Sequence, residues 1–317
     1  MNATMRPVVL GVGGADPANN VAAMEFALNE ARQRGVPVEV VHGCRPRHQL
    51  IPTDSWVESE QHDHGRRIVG RVAQRLRRMS RYQVQVRVTN TDTSGVDALL
   101  TASASASVVV LQAPARPHTG QVAAPGSTIR AVVARAACPV VVLHRERAVG
   151  TSRGIVVGVE EHGRAQGALL AAVEQAARDQ VPVTAVHAWD VPMGDPAIYG
   201  IAPPTPDEVA SIRSEADRLM SEALAGLTED FPTVNLHRRL VRGLVVDVLR
   251  GAAEGADLLV IGRHTDSRLD FHALGHAARA LLHDAPCPLM VVPPSGPLRA
   301  RTTRSLLTAD VPIGTGF

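Results

Sequence analysis

VVDVLRGAAEGADLLVIG (residues 245–262) decides the fold, because GVDALLTASASASVVVLQ (residues 95–112) has the same layout 150 residues earlier. Each stretch begins as a helical segment carrying an aspartate, passes through small residues and ends in an unbroken apolar run. Further matched pairs flank them. RPVVLGVGG (6–14) is echoed by RGIVVGVEE (153–161), RGVPVEVVHG (34–43) by DQVPVTAVHA (179–188), and ACPVVVL (137–143) by PCPLMVV (286–292). Gly11 to Gly158, His42 to His187, Asp97 to Asp247 and Cys138 to Cys287 are offsets of 147, 145, 150 and 149. Landmarks this far apart that keep nearly one offset identify a duplicated unit.

Within each copy a valine-rich run precedes an Ala/Leu segment of helical period, and a second valine run ends in His42 or His187. A polar loop, a long amphipathic helix (about 63–79 or 205–227), an alternating strand, a helix, an apolar strand, a loop, a helix and a Cys-Pro strand follow. Strands that alternate with helices and are mostly uniformly apolar predict parallel sheets covered on both faces. The expected fold is therefore α/β: two tandem doubly wound, Rossmann-like parallel-sheet domains. They are assigned to residues 1–148 and 149–294, with a mobile tail at 295–317. Ligands of such sheets bind beyond the carboxyl ends of the strands, where the loops after strands one, two and four converge.

Composition narrows the chemistry. All 33 basic residues are arginine against 31 acidic ones, so a Walker A lysine and a Schiff-base lysine are excluded. A net charge of +2 and 3% aromatic residues argue against nucleic-acid binding. The longest apolar runs are far shorter than the roughly 20 residues of a membrane span, and no secretory leader is read at the N-terminus, so the expected location is cytoplasmic, without membrane contact. Cys44, Cys138 and Cys287 are odd in number and lack CxxC spacing, which implies neither a disulfide framework nor a zinc site.

DLLVIG runs into GRHTDSRLDFHALGH (262–276), a glycine at a strand end and a second glycine opening a helix, the arrangement by which chains cradle phosphate. With the repeat, the histidine ending the second strand and the Cys-Pro strand, the sequence resembles the universal stress protein family in its tandem form. The resemblance covers residues 6–144 and 153–293. It implies ATP as ligand, with magnesium accompanying the nucleotide, in a loop patterned as glycine, two residues, glycine, nine residues, glycine, then serine or threonine. An aspartate after strand one and the backbone at the end of strand two, here Val186, hold the nucleoside part in such relatives.

In the second copy Gly262 and Gly275 match that pattern, Thr265 stands in the middle glycine position, His276 replaces the hydroxyl residue and Glu160 the aspartate. In the first copy Gly126 and Ser127 keep the helix entry, while Gln112 and Ala115 replace the two earlier glycines, Pro114 removes a donor and Gly13 replaces the aspartate. The resemblance thus implies an impaired nucleotide site in the second copy and a poor or absent one in the first. Two readings stay open: a stress-response regulatory module answering to nucleotide, or an interaction protein acting through its pairing surfaces. A slow ATPase ranks below both, since no catalytic residue is assigned. The expected partners are nucleotide, a second chain in a homodimer, and the other half of the same chain.

Other clusters take simpler readings. His264, His272 and His276 with Asp266 and Asp270 read as a solvated loop rather than a metal site. His62 and His64 are read as exposed and preceding a helix. His42 and His187 read as structural histidines, with lining of the pocket as the alternative, and Asp97 and Asp247 as helix N-terminal charges.

Overall fold

A computed structural model describes residues 5–13, 20–45, 55–114, 126–144, 153–160, 166–190, 204–263 and 274–294. The first half runs β1 (Val8–Gly11), α1 (Val21–Arg34), β2 (Val38–Arg45), α2 (Ser55–Met79), β3 (Val86–Ser94), α3 (Gly95–Ser103), β4 (Val108–Gln112), α4 (Ser127–Arg135) and β5 (Val140–Leu143). The second half repeats the order as β6 (Ile155–Gly158), α5 (Gln166–Asp179), β7 (Val183–Trp189), α6 (Pro206–Leu224), β8 (Leu236–Arg242), α7 (Val245–Ala253), β9 (Leu258–Gly262), α8 (His276–Asp284) and β10 (Leu289–Val292). A single helical turn at Leu227–Asp230 separates α6 from β8. The tail at 295–317 lies outside the described residues.

All ten strands form one sheet in the order β3-β2-β1-β4-β5-β10-β9-β6-β7-β8. Every pairing is parallel except the central one, where Val140, Val141 and Val142 of β5 run antiparallel to Val291, Met290 and Leu289 of β10. Val141 and Met290 are 149 residues apart, the same offset as the two Cys-Pro cysteines. The halves therefore join about a pseudo-twofold axis through equivalent strands.

The apolar strands have the reason expected of them. β1, β5, β6 and β10 are buried at every position, since helices cover both faces. One face packs under α1, α2, α5 and α6 around Met24, Leu76, Leu169 and Met220, and the other under α3, α4, α7 and α8 around Leu99, Val132, Leu249 and Leu281. Both cores draw residues from both halves, so the duplicated units share one three-layer body. The outer strands differ: β8 exposes His237, Arg238, Arg239 and Arg242, charges that keep a sheet edge from pairing with another chain.

Helix ends reinforce the junction. Arg263, just after β9, donates from Nη1 to Ala136 O at 2.7 Å and Val133 O at 3.4 Å, closing the C-terminus of α4 in the other half. His144, just after β5, places Nε2 2.7 Å from Leu282 O in α8.

One helix begins earlier than periodicity places it, and another begins where it is expected. α2 starts at Ser55, so His62 and His64 lie within it rather than before it, because between Val57 and Ile68 the helix is polar and carries no apolar stripe. His62 is moreover half-buried, with Nδ1 2.7 Å from Asp92 Oδ1. α6 starts at Pro206, fixed by a reciprocal cap between Thr205 and Glu208. Among the described residues no helix is long and apolar enough to cross a membrane.

Candidate functional site

In the second half β6 lies between β9 and β7, so the chain leaves it in opposite directions and a crevice opens at the carboxyl ends of the three strands. A cleft of about 940 Å³ occupies that position. Its floor is Gly158, Val186 and Ile261, and its sides are the first turns of α7 and α8. Glu160, Val186, Gly262, Gly275 and His276, expected from the family resemblance, all line it. Thr265 lies outside the described residues, as do His264, Asp266, Asp270 and His272.

The cleft has an apolar body. Val186, Leu249, Ile261 and Ala278 are 1 to 4% exposed, and Leu244 and Val245 form an exposed apolar lip. Two helix N-termini converge on it. The first intrahelical bond of α8 runs from Arg279 N to Gly275 O at 3.0 Å, and that of α7 from Val248 N to Leu244 O at 3.0 Å. Neither helix has a side-chain cap, so the amides preceding those bonds and the positive helix ends are the polar groups offered to a ligand. Gly275 has φ −59° and ψ 161°, and Gly126 φ −54° and ψ 153°. Both are open to any L-residue. Left-handed backbone is thus not what these glycines supply at the helix entries; they leave the amide row free of a side chain.

Three further contributors stand outside the residues expected for the site. His187 lines the cleft and is 3% exposed; its Nδ1 lies 2.8 Å from Val159 O. A carbonyl only accepts, so a proton is on Nδ1, and in a neutral ring Nε2 is an acceptor; it has no hydrogen-bond partner among the described residues. The histidine is structural, as read, and also part of the wall. Asp247 lines the cleft from the first turn of α7, with Arg250 Nη1 3.6 Å from its Oδ1. Leu244 stands where the first half has Ser94; an apolar residue at a helix start gives no motif to recognise.

The first half shows what closure looks like. Gln112, equivalent to Gly262, spans the loop root: its Nε2 donates to Leu143 O at 2.9 Å and its Oε1 accepts from Ala23 N at 3.2 Å. Gly43, equivalent to Ala188, lets the α3 start press onto β2, since a Cβ there would meet Gly95 N at 2.5 Å and Ser94 C at 2.6 Å. Ser94 caps α3 by accepting from Asp97 N at 3.2 Å. Gly126 and Ser127 are exposed at the α4 entry.

A separate hollow of about 420 Å³ in the first half brings Cys44, His62 and Asp92 to one surface with Asp63 and Arg66. Burial holds the Cys44 thiol above its ordinary value and Asp92 adds to this, while its hydrogen bond to Asn90 only partly offsets them. A thiol held in its protonated form is a poor nucleophile.

Comparison with known proteins agrees with the geometry. The model of the universal stress protein family matches residues 4–144 and again 151–293. Universal stress protein Rv2005c of Mycobacterium tuberculosis is 28% identical over 293 residues, covering 90% of this chain and 96% of that protein. A universal stress protein of Mycolicibacterium smegmatis is 28% identical over 302 residues, covering 92% and 99%. Among solved structures, a universal stress protein from Archaeoglobus fulgidus superposes with a TM-score of 0.65 at 15% identity, covering 92% of this chain and 97% of that one. That last likeness is one of fold.

Proposed function

The chain belongs to the universal stress protein family, in its tandem form, and from that premise we propose that it is a regulatory module whose second half binds an adenine nucleotide. The observation that carries this reading is the convergence of Glu160, Val186, Gly262, Gly275 and His276 on one cleft at the switch point of the sheet. The base lies against Val186, Leu249 and Ile261, Glu160 faces the ribose, and a phosphate sits at the α8 entry. Response comes from a change of conformation or partner on binding rather than from turnover. The first half binds nucleotide poorly or not at all, because Gln112 and the Gly43 contact occupy the equivalent space.

A homodimer of this chain does not use the β5 edge, which β10 already covers. It forms through the faces of the helices or the β3 edge.

The test is calorimetric titration of AMP and ATP into wild type and Gly275→Asp. At φ −59° and ψ 161° an aspartate is a good helix cap, so the variant keeps or raises its thermal midpoint while its carboxylate takes the amides meant for phosphate. Loss of about tenfold or more in nucleotide affinity supports the site. Silence of the folded wild type toward both ligands shifts the function to the pairing surfaces.

A further inference from the structure

The net charge of +2 conceals a separation of charge between equivalent surfaces of the two halves. Between His64 and Thr91 the chain has eight arginines and no aspartate or glutamate. Between Asp207 and Asp230, the equivalent stretch of the second half, it has seven acidic residues and two arginines. The first stretch is built on α2 and the second on α6.

Periodicity turns these charges outward. In α2 Ile68, Val69, Val72, Ala73 and Leu76 are buried, while Arg67, Arg71, Arg75 and Arg78 are exposed. Steps of four, four and three residues put the arginines in one stripe about 16 Å long. Arg66 pairs with Asp63, and Arg77 donates to Val86 O at 3.1 Å, so both are engaged beside the stripe. In α6 Ala216 and Met220 are buried, and Glu208, Glu215 and Glu222, seven residues apart, form an exposed stripe about 21 Å long. Arg218 bridges Glu215 and Glu222, and Arg238 of β8 pairs with Asp217. One guanidinium shared by two carboxylates leaves that ridge negative.

The fold places the two stripes. α2 lies on β2 and β3 and α6 on β7 and β8, at opposite ends of the sheet. Both pack into the same core and so cover the same face. α1 and α5 lie between them and expose Glu25, Arg32 and Glu174, of mixed sign. When two such faces meet about a twofold axis that exchanges the ends of the sheet, α2 of each chain lies on α6 of the other, and the contact closes. The twofold axis at right angles to it would set arginine stripe on arginine stripe.

We propose that a second copy of this chain docks on this helical face, with the arginine stripe of α2 against the glutamate stripe of α6 in the other copy. This names the surface of the homodimer proposed above and is independent of the nucleotide site. Opposite charge on equivalent helices makes the self-contact attractive and fixes its orientation.

Sedimentation equilibrium of the full chain tests this. A dimer is expected at about 50 mM salt, with its dissociation constant about tenfold or more higher at about 0.5 M, where exposed charges are screened. Arg67→Glu, Arg75→Glu and Arg78→Glu together are expected to give a monomer, as are Glu215→Arg and Glu222→Arg together. The chain carrying all five substitutions, with the charges exchanged, is expected to dimerise again. All five positions are exposed, and thermal midpoints near that of wild type show the variants folded. A dimer that ignores the reversals overturns the docking and leaves the homodimer standing. Reversals that dissociate the dimer without recovery in the exchanged chain overturn the pairing of the two stripes. A wild type that stays monomeric at about 100 μM removes the homodimer and this inference together.

Discussion

Glu30 and Gln175 are equivalent residues of the two copies, 145 positions apart like His42 and His187, and they meet across the junction: Gln175 Nε2 donates to Glu30 Oε1 at 2.5 Å. Glu30 is 0% and Gln175 1% exposed. Arg34 donates from Nε to Glu30 Oε2 at 2.8 Å, and Arg178 from Nη2 to Gln175 Oε1 at 2.8 Å. Strict twofold symmetry would set two carboxylates, or two amides, against each other at this point. Divergence of one copy turned a self-pairing surface into a donor and an acceptor.

Gln175→Glu restores the like pair, and its cost should depend on pH. Two buried carboxylates this close do not both ionise, so one has its folded pKa raised. Stability is then fully present below the unfolded carboxyl value and is lost as pH rises from there through the folded one. The variant is expected to lose about 2–4 kcal/mol at pH 7 and less than half of that at pH 5, read from urea unfolding at both values. Equal losses at the two pH values would mean that packing, not charge, sets the cost.

Gly43 and Ala188 differ by one methyl group, and that methyl separates a closed half from an open one. Gly43→Ala forces the Ser94–Gly95 backbone off β2 and should destabilise by about 1–3 kcal/mol, with Ala188→Gly costing under about 1 kcal/mol. Thermal melts of the two variants make the comparison. A neutral Gly43→Ala would show that the α3 start yields easily and that closure has another cause.

Gln112→Gly makes the first half look like the second at the loop root. It deletes the bonds to Leu143 O and Ala23 N, for a loss of about 1–2 kcal/mol. No nucleotide binding is expected to appear, because the Gly43 contact still closes the space. Titration of the variant with AMP reads this directly, and binding at two sites per chain would refute it.

The sequence made the strands legible because burial on both faces leaves a mark: VVLG, VVVL, IVVG and LMVV are unbroken apolar runs. The duplication followed from spacing, and five of the site residues from the family resemblance. What stayed hidden depends on contacts between distant residues. No local signal says that Val140–Val142 pair antiparallel with Leu289–Val291, since a strand reads the same from either neighbour. The polar start of α2 has no stripe to mark it, and Leu244 belongs to no motif. Arg263 is a loop-root residue whose side chain is assigned only once β5 and β10 lie side by side, and Gln112 is one whose partners, Leu143 and Ala23, are distant along its own half.

Cys138, 5% exposed in the core beneath α4, has its thiol pushed up by burial to about 11 from an ordinary 9.0, with hydrogen bonding to the Val109 backbone and the Arg6 charge offsetting only part of the shift. The folded pKa lies above the unfolded one, so its contribution is intact below pH 9 and is lost as pH rises toward 11, when the unfolded chain sheds its proton first. Two pKa units set the upper size of that loss at about 2–3 kcal/mol. Urea unfolding of wild type and Cys138→Ala at pH 8 and pH 10.5 isolates it, since arginine and tyrosine titrations are common to both proteins. Wild type should lose more stability over that interval than the variant. Equal losses would mean that the thiol meets water in the folded chain, and rapid modification of Cys138 by a thiol reagent at pH 8 would then accompany them.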